Sequence, residues 1–238
     1  MKSAITKYLF LLVLALIGFF VYSKAPSPRK VISIAPSTEF SKSLQTYADS
    51  SSEGQSRVAL AQVGSTILCK TTFAPASKKD VWAGFGWDLD QNWDFMDTLY
   101  LEVRASGIPE LELKLLTYDP DYSKAGDPST YRQVVKEVPV SNQWQKLAIA
   151  AEHFYVPDWW YTQTGVSKNL DSRHFEQVLR LNIQPSSKAP RGVPLEFEVR
   201  SLTLTGTNSR NLAIFLGYLF VLMIFALGVN PHKRRVAS

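Results

Sequence analysis

The chain has 238 residues, a net charge of +5 and one cysteine, Cys69. That length supports one domain with a full core of its own, and a lone cysteine excludes a disulfide framework or a zinc-type ligand spacing. The tight basic clusters, Lys78–Lys79 and Lys233–Arg235, are short and not interleaved with aromatics, so no nucleic-acid partner is expected.

Residues 1–7 carry Lys2 and Lys7 and lead into an apolar run from Tyr8 to Tyr22. This has the form of a secretory n-region and h-region. Ser23 and Ala25 fit the small-residue cleavage positions, but Pro26 directly after them should block the peptidase. Residues 8–22 therefore read as an uncleaved signal anchor, a transmembrane helix extended by interfacial Tyr22 and snorkelling Lys7 and Lys24. Residues 23–37, with Pro26, Pro28 and Pro36, read as an extended linker.

From residue 38 to 206 strand candidates follow one another with turn signals between them and no convincing helical period. They are 57–63, 66–73, 81–89, 98–105, 111–118, 132–138, 143–149, 177–183 and 195–205. The organising stretch is 98–116. Leu99, Leu101 and Val103 alternate with Tyr100, Glu102 and Arg104, and Leu111, Leu113 and Leu115 alternate with Glu112 and Lys114. Alternation on both sides of the short Ala105–Pro109 loop predicts an antiparallel pair with one wet and one buried face. Covering the buried face needs a second sheet, so the fold class is all-β, an antiparallel β-sandwich. In the last strand Leu195, Phe197 and Val199 change parity to Leu202 and Leu204, which predicts a bulge at Arg200–Ser201. Two long loops, 119–130 and 154–172, are natural places for function.

Residues 212–229 form an uncharged apolar run long enough to span a membrane as a helix, stopped by Pro231 and followed by His232–Arg235 in a basic tail, 230–238. Lys and Arg flanking the two runs number five on the terminal sides and five on the inner sides, so charge bias alone does not orient the chain. The signal-like start and the Lys233–Arg235 cluster favour cytoplasmic termini and an exported domain. A C-terminal sorting signal is a rival for the last run, although no recognisable cleavage motif precedes it.

The pieces GFGWDL (84–89), MDTLYLEVRA (96–105), the 144–146 strand leading to HFYVPDWW (153–160), and LEFEVRSLTLTG (195–206) together resemble the galactose-binding-like jelly-roll domains. Such domains occur in carbohydrate-binding modules and in periplasmic parts of bacterial membrane sensors. The resemblance covers most of residues 38–206. It implies a carbohydrate ligand and a periplasmic domain at the bacterial inner membrane. The sensors carry an output domain after their second span; here nine residues follow Val229, so output would pass to a membrane-protein partner.

Trp159, Trp160 and Tyr161 sit between Pro157 and Gly165. In an extended chain neighbours face opposite ways, so one tryptophan would be core and the other an exposed platform for a pyranose face. The competing reading is a loop that caps the sandwich. Gly84 and Gly86, opposite Phe85 and Trp87, remove side-chain bulk and let a ligand or another backbone approach; with Trp82 they complete the candidate ligand-binding set. Aromatics from a neighbouring loop packing over these glycines is the alternative. Asp88, Asp90, Asp94 and Asp97 crowd one turn and suggest structural calcium as a weaker reading. The carboxylate pairs Glu110/Glu112 and Glu196/Glu198 fit solvent-facing strand positions, His153 and His174 lack a nearby Cys or Asp partner at any recognised spacing, and no nucleophile elbow is present, so no enzyme is expected. The sequence thus points to a membrane-tethered, carbohydrate-binding sensory or recruiting module. Its rival is an assembly protein whose sandwich docks another membrane protein.

Overall fold

A computed structural model describes residues 12–14, 16, 18, 29–49, 55–75, 81–168, 172–207 and 209–228. They divide into two compact units, residues 31–206 and the two terminal segments.

The larger unit is built from eleven strands, β1 (Arg29–Ala35) through β2 (Leu44–Ala48), β3 (Arg57–Val63), β4 (Thr66–Thr72), β5 (Ala83–Gln91), β6 (Met96–Ser106), β7 (Glu110–Thr117), β8 (Arg132–Pro139), β9 (Gln145–Ala150), β10 (Val178–Pro185) and β11 (Pro194–Thr207). A four-residue helix, α1 (Thr38–Ser41), lies between β1 and β2, and α2 (Asp158–Thr164) lies between β9 and β10. One sheet runs β3-β4-β11-β6-β9 with β1 also on β11; the other runs β2-β5-β10-β7-β8. The alternation seen in sequence now has its cause. Leu99, Leu101 and Val103 of β6, Leu111, Leu113 and Leu115 of β7, and Leu181 and Ile183 of β10 are buried between the sheets. Phe85 of β5 stacks on Phe197 of β11 with ring centroids 5.5 Å apart, joining the two layers at the core's centre. Cys69 is buried in the same core, and burial pushes its thiol up to about 12.

The expected pairing of residues 98–105 with 111–116 is corrected. Strand β6 pairs with β11 and β9, whereas β7 pairs with β10 and β8 in the opposite sheet. Alternation records which side of a strand is buried, and two strands facing each other across a core satisfy it as well as two strands side by side. Gly107, at φ +74°, and buried Ile108 take the chain across the core. The predicted bulge is present: the register of β11 against β6 shifts between Val199 and Ser201. Part of the stretch read as linker is strand β1, and strand β2 and helix α2 were not anticipated.

In the second unit α3 (Ser209–Gly228) runs through the apolar stretch expected as a span. The Tyr218 hydroxyl donates to the Leu14 carbonyl at 2.6 Å, and its ring occupies the space a side chain at Gly18 would need. Ile214, Leu216, Leu219, Phe220 and Ile224 are exposed on α3. Among the described residues no helix is long and apolar enough to cross a membrane. Neither expected span, 8–22 or 212–229, therefore has support from the structure, and most of 8–22, like the basic tail 230–238, lies outside the described residues.

Candidate functional site

Trp159, Trp160 and Tyr161 do not alternate as extended residues. They lie in α2, which starts after Pro157 and stops at Gly165, whose left-handed φ of +73° lets its N–H bond the Tyr161 carbonyl. Helical neighbours are about 100° apart rather than 180°, so Trp160 (2 % exposed) and Tyr161 both turn inward while Trp159 (47 % exposed) faces out. Trp160 Nε1 donates to the Tyr131 carbonyl at 3.2 Å, and its ring meets Tyr122 edge-on at 5.6 Å. The Arg132 guanidinium lies 4.7 Å over the same ring. Arg132 is buried and its Nε donates to buried Asp119 at 3.0 Å. Burial pushes the Asp119 carboxyl up, but the hydrogen bonds from Arg132 and the Asp121 N–H and the nearby cationic charge outweigh it and hold it below the usual range. Of the two readings of this motif, Trp160 and Tyr161 follow the cap: Trp160 anchors the 119–131 loop, Tyr161 packs edge-on against Trp160, and of the three Trp159 alone has the exposure of a contact residue.

Gly84 and Gly86 do not leave an open groove. A Cβ at Gly86 would stand 2.1 Å from Asn182 Oδ1, and one at Gly84 would stand 2.2 Å from the Ile183 carbonyl oxygen. What closes over these glycines is β10, not loop aromatics. Trp82, half-buried, precedes β5, and its carbonyl accepts from the Asp49 N–H at 3.0 Å.

The glycines instead mark the centre of a polar strip on the outward face of the five-stranded sheet. Register places Gln45 of β2, Gly86 of β5, Asn182 of β10 and Lys114 of β7 in one row across the sheet. Asn182 and Gln184 are buried, 6 % and 5 % exposed. The half-buried Tyr47 phenol donates to Gln184 Oε1 at 3.0 Å, and Gln184 Nε2 donates to Glu112 Oε1 at 2.8 Å. Burial first, and then the Glu112 charge, keep the Tyr47 phenol well above its ordinary value, so it stays a donor. Arg180 Nε donates to Asn182 Oδ1 at 2.8 Å and its Nη1 to Asp88 Oδ1 at 3.0 Å, while Gln45 Nε2 donates to Asp88 Oδ2 at 2.8 Å. Asn182 Nδ2 has no partner among the described residues.

A recess of about 220 Å³ opens over this strip, lined by Tyr47, Asp88, Arg180 and Asn182 and, from the 119–131 loop, Pro128 and Tyr131. It forms where β10 shifts register between Val178 and Arg180. Sequence reasoning missed Tyr47, Arg180, Asn182 and Gln184. The available signal was the alternation of Arg180, Asn182 and Gln184 with Leu181 and Ile183: three long polar side chains on one strand face.

The crowded aspartates do not converge. Asp88 belongs to the strip, Asp90 accepts from Gln177 Nε2 at 3.0 Å, and the Asp94 N–H donates to Asn92 Oδ1. Among the described residues no three metal-ligating side chains cluster. Glu110 and Glu112 stand on β7, Glu196 and Glu198 on β11 in the other sheet, paired with Lys70 and Arg104. His174 Nδ1 lies 2.7 Å from Glu176 Oε1, two residues on in the sequence, and the fold brings its Nε2 to 3.9 Å from Asp119 Oδ1.

No family model and no curated protein matches the sequence. Among solved structures, the family 11 carbohydrate-binding module of cellulosomal cellulase Lic26A-Cel5E of Clostridium thermocellum is similar with a TM-score of 0.54 at 10% identity, covering 75% of this chain and 95% of that one. A family 11 module from the same organism, in complex with a β-1,3-1,4-mixed-linked tetrasaccharide, gives 0.52 at 13% identity, covering 75% and 96%. What is shared at these identities is the fold: the chain has the β-sandwich jelly-roll of carbohydrate-binding modules.

Proposed function

We propose that this chain is a carbohydrate-binding protein without catalytic activity, whose ligand lies along the polar strip of the five-stranded sheet. The observation that carries this reading is the group formed by Arg180, Asn182 and Gln184 of β10 with Asp88 of β5, buried or bridged side chains held in fixed orientation on an outward sheet face. Sugar hydroxyls each donate and accept, and amide, guanidinium and carboxylate groups fixed by one another meet that pattern without reorganising. Tyr47 and Tyr131 supply ring surface beside them, as pyranose C–H faces require. The likeness to carbohydrate-binding modules supports the same assignment. Retention of a glycan from an array by the full chain tests it. Asn182→Leu, close in volume but unable to hydrogen-bond, should weaken retention at least about tenfold. Arg104→Ala on the opposite sheet should leave it unchanged. Equal retention by Asn182→Leu and the parent would move the ligand elsewhere.

The chain is further proposed to sit at the bacterial inner membrane through its terminal segments, with the sandwich in the periplasm, recruiting or sensing for a partner protein. That placement is motivated by the uncharged apolar run 212–229 of the sequence, within which Ile214, Leu216, Leu219, Phe220 and Ile224 are exposed. Those side chains also suit the second reading, an assembly protein that docks another membrane protein.

A further inference from the structure

We infer that the recess takes a single sugar unit, so that the site selects the end of a glycan chain or a one-unit branch rather than a run of internal units. This deepens the carbohydrate reading and rests on it. Size is the first argument. At about 220 Å³ the recess lies below the roughly 300–1,000 Å³ of ordinary small-molecule sites, a size that suits one pyranose. The walls are the second. Tyr47 comes from edge strand β2, while Pro128 and Tyr131 come from the loop that joins the ends of β7 and β8, so the recess is bounded by a strand at the sheet's edge and by a loop.

The loop wall is built rigidly. Asp127 caps the turn at Pro128–Thr130 by accepting from the Ser129 N–H at 3.1 Å and the Ser129 hydroxyl at 2.6 Å. The Ser123 hydroxyl donates to the Thr130 carbonyl at 3.1 Å, and the Gly126 N–H donates to the Tyr131 hydroxyl at 3.2 Å. Trp160 holds the Tyr131 carbonyl from beneath, and the buried Arg132–Asp119 pair closes the loop's base. A glycan continuing past the Pro128–Tyr131 wall would have to displace this loop and break those bonds. The third argument is chemical. An acceptor-only carboxylate, a donor-only guanidinium and an amide that does both converge within one small volume, which suits neighbouring hydroxyls of a single ring.

The purified full chain, kept in a detergent without a sugar headgroup, is titrated by calorimetry. The probes are glucose, mannose and xylose and their β-linked oligosaccharides of two, four and six units, including mixed β-1,3-1,4-linked glucose oligomers. Molar affinity for the bound series should change by less than about threefold from two to six units. Partial depolymerisation of the matching polymer at constant mass should raise the number of sites it offers in proportion to its new ends. A rise in affinity of about tenfold or more with length, or a polymer indifferent to its number of ends, would overturn end selection and leave the carbohydrate reading standing. No heat with any probe, joined to an empty array, would remove both.

Discussion

Trp160 and Trp159 are adjacent and chemically identical, yet the fold gives them opposite consequences. Replacing Trp160 by Ala removes a buried ring, the bond to the Tyr131 carbonyl and the surface under Arg132, and should cost about 3–5 kcal/mol in chemical denaturation. Trp159→Ala should stay within about 0.5 kcal/mol. Asp119 makes a pH-dependent contribution beside them. Its carboxyl is held below the usual range in the folded chain, so the stabilisation is complete above the unfolded carboxylate range and fades as pH falls through the lowered value. Stability followed by tryptophan fluorescence across that acid range should fall less steeply in Asp119→Asn than in the parent. An unchanged slope would take Asp119 out of the account.

At the scale of strands, one position on β7 separates two outcomes. Leu113 is buried between the sheets and its truncation to Ala should cost about 2–5 kcal/mol. Glu112 looks in sequence like an ordinary wet-face residue, but it accepts from Gln184 Nε2, so Glu112→Ala should cost about 1–3 kcal/mol by leaving a buried amide unpaired. Thermal and urea midpoints of the two variants check this; a neutral Glu112→Ala would mean that the Gln184 amide is satisfied without it. Gly86→Ala should lower the melting temperature too, since its methyl would collide with Asn182 Oδ1 and the Leu181 carbonyl. Strands were legible because their period is two and their faces differ in polarity. Their partners were not, because alternation in β6 and β7 is the same whether they lie side by side or face to face. Helix α2 escaped notice since DWWYTQT is too short to show a period, and β1 because its prolines on either side read as linker. Little of the candidate site was legible: Gly84 and Gly86 are closed over by β10 and do not line the recess, and the aromatic clusters draw the eye away from the polar face of β10.

For the molecule as a whole, the proposed topology makes a direct prediction. Alkaline phosphatase fused after Thr117 should be active, and fused after Ser238 inactive, if the sandwich is exported and the C-terminus stays in the cytoplasm. Activity at both positions would place the C-terminal end outside and break the two-span arrangement.

The last strand of the sandwich, β11, lies in the middle of its sheet, between β4 and β6. Its register joins Leu195 to Thr71 and Leu202 to Leu101, partners made more than a hundred positions earlier in the one case and about a hundred in the other. During synthesis β4 and β6 must therefore wait with open edges until the final strand arrives, and local pairing is confined to neighbours such as β3 with β4 and β7 with β8. Pairing over such separations makes for slow folding and a long-lived, aggregation-prone intermediate. The sandwich can therefore close only after residue 207 has left the ribosome. A chain ending at Val193 should accordingly collect in the insoluble fraction rather than fold as a smaller domain.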